Sequence, residues 1–549
     1  MSPNTSSTVG DQRSRLGPEN RRAALLAMQQ EVIDLLVVGA GATGCGTALD
    51  AASRGLPVAL IDKGDIAVGT SSRSSKLVHG GLRYLQQGNV ALVREALRER
   101  DLLLTTLAPH LVEPLPFMLP LHHRVWERAY IGAGLLAYDV LSGSSALPRH
   151  RHVTKTKALS RFPSLRRDSL VGALQYFDAQ MDDARLAVAI ARTASRSGAH
   201  VAPHVRLVGQ RGDSRDGVHE VALRDELTGE DFTIRARSVA LCVGVWAPEV
   251  SALFTGATEA VGVIRSKGVH LRLPREALSG ETALIVPTGK SVLFVIPSDT
   301  HWLIGTTDTE WTANPDRVEP DRDDVDYLIG QLRRVVKEPI SADDVTYTFA
   351  GLRPLVRDQS VGGNTAKVTR EHRIVRVAPG VLAIVGGKWT TYRVMARDMV
   401  DTILSEGGLP PRPCVTQGMP LVGSSIVPVV DARDVAALSP TDRDALDRRY
   451  GSRVGEVLGL IAREPDLIRE LQDARGFIEA EVVHACLNEG ACTLEDVLDR
   501  RLQVGLNLDV VTPELVRSVA HLMGRALGWD EASTNQAAAD LLASGAERP

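Results

Sequence analysis

One segment, EVIDLLVVGAGATGCGTALDAASRGLPVALIDKGD at 31–65, leaves this chain few choices of fold. DLLVVGA is an apolar run of strand type, and Gly39-Ala-Gly41-Ala-Thr-Gly44 is a G-x-G-x-x-G turn. TALDAASRG continues as a helix that stops at Gly55, and VALID is a second buried strand. Gly39 makes the turn, Gly41 lets a pyrophosphate approach the backbone, and Gly44 lets helix and strand pack closely. The free N–H groups of the helix start face the phosphates. Asp62, 18 residues past Gly44, is placed to accept hydrogen bonds from ribose hydroxyls.

The fingerprint alone fits NAD or FAD. SVALCVGVW (238–246) adds a strand ending at Gly244. GVLAIVGGKWTTYRVMARDMV (380–400) adds a strand ending in Gly386-Gly387, with a helix from about Thr390. Glycine-bearing helix starts roughly 340 residues apart suit one long cofactor gripped along its length, so FAD is the better expectation.

The rest of the chain removes other classes. A net charge of −4 argues against a dedicated nucleic-acid binder. The five cysteines, Cys45, Cys242, Cys414, Cys486 and Cys492, form no C-x-x-C pair, so neither a metal site nor a disulfide framework is expected, and a reducing cytosolic setting fits. No apolar run reaches the roughly 20 residues of a spanning helix. AYIGAGLLAYDVL (129–141) reads either as a buried helix or as one lying against a membrane surface.

TSSRSSKLVHGGLRYL (70–85) concentrates hydroxyls, cations and a glycine pair in one stretch that must hold something anionic. Together with GAGATGCG, MDDARL (181–186), RSKGVHLRLP (265–274), IGTTDTEW (304–311), AGLRPL (350–355) and GGKWTTYR (386–393), it resembles the FAD-dependent glycerol-3-phosphate dehydrogenases of aerobic respiration. The resemblance spans roughly residues 31–400, and LEDVLDRRLQVGL (494–506) is similar to the family's helical extension. CVGVW (242–246) departs from the family's Ala-Thr-Gly-Pro-Trp type, and Asp62 replaces a common Glu.

The resemblance implies oxidation of sn-glycerol 3-phosphate to dihydroxyacetone phosphate, electrons passing through FAD to a quinone at a membrane surface. An oxygen-using oxidase and an amino-acid-oxidase-like enzyme are the alternatives. Thr70, Ser71, Ser72, Ser74, Ser75, Lys76 and His79 would face the cofactor, and Gly80-Gly81 would pass the isoalloxazine ring where no Cβ fits. Arg83, Tyr84 and Thr307 would contact substrate. Arg353 would clamp its phosphate, since a guanidinium fork suits that anion. Lys388 would bind substrate or stabilise an alkoxide. His270 is the candidate base, and the sequence does not choose between it and Lys388. The implied setting is cytoplasmic, peripheral to the inner face of the cell membrane, with a homodimer left open.

The expected fold class is α/β: a Rossmann-like FAD-binding domain interleaved with a strand-rich substrate domain, plus a C-terminal helical domain. Residues 1–30 read as disordered with a short helix at 21–30, 31–405 as the two interleaved units with the substrate part mainly at 255–350, and 411–545 as helical. The Gly/Pro-rich SEGGLPPRPC (405–414) reads as the linker.

Overall fold

The structure, a computed structural model, describes residues 12–545 except 87, 124–125, 144–145, 169, 213–215, 258–260, 290–291, 357–370, 425–437 and 509, and the side chains of Arg83, Gln86 and Gly545 also lie outside the description. Two sheets carry the fold. The first has eight strands, with the parallel series Val381–Gly386, Asp231–Leu241, Val32–Val38, Val58–Ile61 and His200–Ala202 at its centre. The register places Val38 beside both Ile61 and Leu241, so these strands end together. Such C-terminal strand ends are where open α/β sheets bind ligands.

The helix Ala42–Ser53 leaves that edge and is buried over most of its length. It can be so because its residues are small. A Cβ at Gly44 would overlap the Gly39 carbonyl oxygen, and one at Gly46 would lie 2.8 Å from the Tyr392 ring. Its flanks are the helices Asp183–Arg196 and Tyr392–Glu406, which share its core of Ala48, Leu49, Ile190 and Met399.

The second sheet has ten strands. Its long member, Val263–Pro274, runs antiparallel between Tyr347–Val356 and His301–Gly305. That pairing sets Arg353 opposite Ser266, and Phe349 and Gly305 opposite His270. The sheet also recruits Leu77–Val78, Val112–Leu121, Arg151–Thr154 and Gly172–Met181. Residues well before 255 therefore contribute to it. Sequence could not reveal this, because pairing partners distant in the chain leave no local signal.

The helix Trp126–Ser142 buries Gly132, Leu135 and Tyr138 and leaves Trp126, Tyr130, Leu136 and Val140 exposed. Of the first thirty residues, Pro18–Gln30 is helical, and the disorder expected for 1–11 falls outside the described residues. Helices from Pro440 to Leu527 enclose a separate core that includes Leu458, Val482, Leu515 and Met523.

This helical region meets the first sheet's side across a buried ionic seam. Arg500 and Arg501 both reach Asp65, Arg185 reaches Glu489, and Arg192 grips both carboxylate oxygens of Glu456. Buried charges are tolerated only when paired like this, and deleting one partner is far costlier than the pair's net worth.

Candidate active site

A cavity of about 380 Å³ opens where the two sheets meet. Its floor is the dinucleotide turn. Gly39 holds φ +102°, and a Cβ there would come within 2.6 Å of the Cys242 carbonyl oxygen. Gly41 lines the cavity, and the Ala42 N–H at the helix start donates to Ser71 Oγ at 2.9 Å. Asp62 also lines it, held by the N–H groups of Ala40 at 2.7 Å and Gly64 at 3.0 Å. Burial raises the Asp62 pKa despite those two donors. Gly244, Gly386 and Gly387 line the same cavity from the other strand ends.

The 70–85 segment divides in two. Thr70, Ser71, Ser74, Ser75 and His79 line the cavity, and Trp389 Nε1 fixes the loop by donating to Ser71 O at 2.9 Å. Ser72 and Lys76 turn away: Lys76 Nζ donates to Ser72 O at 3.1 Å and pairs with the buried Asp183. Gly80 and Gly81 serve close packing within the protein. A Cβ on Gly80 would meet Leu97 and the Tyr138 hydroxyl at 2.5 Å, and one on Gly81 would lie 3.1 Å from Lys388 Nζ. Neither glycine lines the cavity. The Arg83 side chain lies outside the described residues.

The opposite wall is cationic. Lys388 Nζ sits 3.7 Å from the centroid of the Tyr84 ring, a cation–π contact, and both residues line the cavity. Arg353 lines it too. Its Nη2 donates to Thr306 Oγ1 at 2.7 Å and its Nη1 to Thr307 O at 3.1 Å and Ser266 Oγ at 3.3 Å. Thr307 itself is buried: its hydroxyl accepts from the Val269 N–H at 3.0 Å, so it supports the wall through its carbonyl. Arg73 and Gly268 are cavity residues that sequence reading left without a role. RSKGVH offered the signal for Gly268, a glycine inside a strand where a neighbour approaches closely.

His270 is buried and lies flat on Phe349, with ring centroids 4.9 Å apart at 12°. Its Nε2 and Ser75 Oγ are 2.8 Å apart, and among the described residues Nδ1 has no hydrogen-bond partner. Burial first, then the positive charges of Arg353 and Lys76, lower its pKa to about 3, so the ring is neutral.

The residues present fit a flavin dinucleotide. Bare glycine backbone at a helix start suits a pyrophosphate, Asp62 suits a ribose, and three further glycines keep the strand ends open for the rest. The chain belongs to the FAD dependent oxidoreductase family, which matches residues 34–400, and FAD is its cofactor. Residues 414–534 match the C-terminal domain of alpha-glycerophosphate oxidase. Within the family, glycerol-3-phosphate dehydrogenase 2 of Mycobacterium tuberculosis is 42% identical, covering 96% of this chain and 90% of its own. Glycerol-3-phosphate dehydrogenase of Mycobacterium leprae is 42% identical over 94% and 88%. The crystal structure of the glycerol-3-phosphate dehydrogenase from Bacillus halodurans, complexed with FAD, superposes with a TM-score of 0.75 at 25% identity, covering 96% of this chain and 97% of that one.

Proposed function

We propose that this protein oxidises sn-glycerol 3-phosphate to dihydroxyacetone phosphate and passes the electrons to a quinone. The observation that carries the reading is the meeting of Arg353, Lys388 and the neutral His270 on one wall of the cavity that the dinucleotide turn opens into. Bound FAD supplies the acceptor for the hydride that leaves C2 of the substrate. The protein's own groups bind the anion and handle the proton.

Arg353 takes the phosphate, its guanidinium held by Thr306, Thr307 and Ser266 so that little side-chain freedom is lost on binding. Lys388 stands over Tyr84 as a compact charge for the oxygen that loses its proton. His270 receives that proton. A ring with a pKa near 3 is a weak base. Burial is the larger cause of that depression and the Arg353 charge the next, and it is the Arg353 contribution that the substrate's phosphate would offset.

The exposed apolar face of the helix Trp126–Ser142 supports attachment to the inner membrane surface, where the quinone is met. No helix among the described residues is long and apolar enough to cross a membrane.

The test is anaerobic mixing of the purified flavoprotein with sn-glycerol 3-phosphate. Flavin absorbance should bleach, and a quinone analogue should restore it. Bleaching by amino acids but not by the polyol phosphate would overturn the substrate assignment. Reoxidation by oxygen as fast as by quinone would make the protein an oxidase.

A further inference from the structure

The MDDARL and LEDVLDRRLQVGL motifs touch no part of the cavity, yet they meet beside it. Gln503, in a left-handed conformation at φ +49°, donates from Nε2 to Asp182 Oδ1 at 2.7 Å. Asp182 caps the helix Asp183–Arg196 by accepting from the Arg185 N–H at 2.9 Å. Its neighbour Asp183, fully buried, accepts from Ser74 Oγ at 2.7 Å and from the Ser74 N–H at 3.2 Å, and pairs with Lys76. Asp183 thus pins the residues on either side of Ser75, whose Oγ meets His270 Nε2.

A second chain of contacts runs to the same ring. A Cβ on Gly505 would overlap the Tyr347 ring. Tyr347 stands 6.2 Å from Phe349, which stacks on His270. The strand register sets Phe349 opposite His270 and Tyr347 opposite Arg272, and the Arg272 Nε–H donates to Leu506 O at 2.8 Å.

We propose that the C-terminal segment 503–506 is a positioning element of the active site, fixing Ser75 against His270 through Asp182 and Asp183, and fixing the imidazole plane through Tyr347 and Phe349. The proposal rests on His270 acting in the reaction. It gives the helical C-terminal region a part in the chemistry: the two residues that hold the ring, Ser75 and Phe349, are each reached by a chain of contacts that starts there. Small errors in such placement are expensive, on the order of a hundredfold in rate for about 1 Å.

The experiment uses full-length holoenzyme. Gln503→Leu removes the donor to Asp182 at similar volume, Gln503→Lys restores a donor, and Gly505→Ala presses on Tyr347. Each is measured alone and combined with His270→Asn, with flavin content read from absorbance. Gln503→Leu and Gly505→Ala should keep full flavin and a near-normal KM for sn-glycerol 3-phosphate while kcat falls roughly tenfold to a hundredfold. Gln503→Lys should recover most of the loss. With His270→Asn present, the same changes should cost no more than about twofold, since the group they position is gone. Gln503→Leu alone decides the matter if Gly505→Ala fails to fold. Equal losses with and without His270, or an unchanged kcat, would overturn the proposal alone. A His270→Asn enzyme of normal activity would overturn the role of His270, and this proposal with it.

Discussion

The guanidinium of Arg353 occupies the space that a side chain at residue 268 would need: a Cβ on Gly268 would overlap it. The two residues sit on paired strands, Gly268 opposite Gly351, so the glycine makes room for the cation without breaking the sheet. Gly268→Ala should therefore displace the guanidinium and weaken substrate use while leaving flavin bound. A Gly268→Ala enzyme with unaltered kcat/KM would show that the fork does not need that place.

Arg353→Ala removes the cation itself. Loss of a charge-assisted, bidentate contact costs on the order of 2–4 kcal/mol, or roughly 30- to 1000-fold in kcat/KM for sn-glycerol 3-phosphate. Arg353→Lys should recover only part, because a point charge lacks the fork. Unphosphorylated glycerol is the control, and its poor turnover should change far less. Lys388→Ala should depress both substrates alike. Equal damage to both by Arg353→Ala would show that this residue does not select the phosphate.

Acid stability reports on His270. Its folded pKa, about 3, lies below the ordinary value near 6.5, so between those values the unfolded chain binds the extra proton. Stability from this group is full above about pH 6.5 and falls as the pH drops toward 3. His110 and His301, each lowered to about 4, act in the same direction. His270→Asn should flatten the fall of ΔG with pH by up to ~1.4 kcal/mol per pH unit in that window, whatever it does to the plateau. Urea titrations at pH 7, 6 and 5 measure it, and an unchanged slope would mean that the ring is not held neutral.

The three fingerprint glycines should differ in what they tolerate. At Gly44 an added methyl overlaps the Gly39 carbonyl oxygen, a backbone atom that cannot move without opening the helix–strand contact. At Gly41 it meets Ser71 Oγ at 3.0 Å, a side-chain atom that can rotate. Gly44→Ala should yield little folded flavoprotein, whereas Gly41→Ala should fold and bind FAD more weakly. Recovery of both proteins with equal flavin content would contradict this ordering.

The dinucleotide turn itself was readable in the sequence because the fingerprint is local: spacing, flanking strands and helix all lie within 31–65. The FAD cradle was legible for similar reasons, and Arg353 and Lys388 stood out by their short motifs, Arg353 within the strand Tyr347–Val356 and Lys388 just past Val381–Gly386. What escaped was long-range. Ser75 read as a cofactor contact, and nothing local tells that its partner is His270, 195 positions away. Gly80-Gly81 read as a close approach to the flavin ring, and nothing local tells that Leu97, Tyr138 and Tyr84 also crowd those positions through tertiary packing. Thr307 carries the hydroxyl that a substrate contact wants, yet the Val269 N–H takes it inside the sheet.

The helix Trp126–Ser142 makes the last prediction. Trp126 and Tyr130 are each 60% exposed, Leu136 58% and Val140 71%, and helical spacing gathers them on one face opposite the buried Gly132, Leu135 and Tyr138. Exposed Arg149 and Arg151 lie close by in sequence, suited to anionic headgroups. Aromatic rings with polar tips favour the interfacial zone, and Leu and Val favour the acyl boundary. Full burial of such a side chain is worth about 1.5–3 kcal/mol, so Trp126→Ser with Leu136→Ser, both now largely exposed, should cost about 3 kcal/mol of membrane binding, roughly 100-fold in partition. Sedimentation with vesicles containing anionic lipid measures this directly. The double variant should still bleach anaerobically with sn-glycerol 3-phosphate, because the cavity is untouched, but should reduce a membrane-bound quinone slowly. Vesicle binding equal to that of the unaltered protein would remove this helix as the attachment surface and leave the soluble half-reaction as it stands.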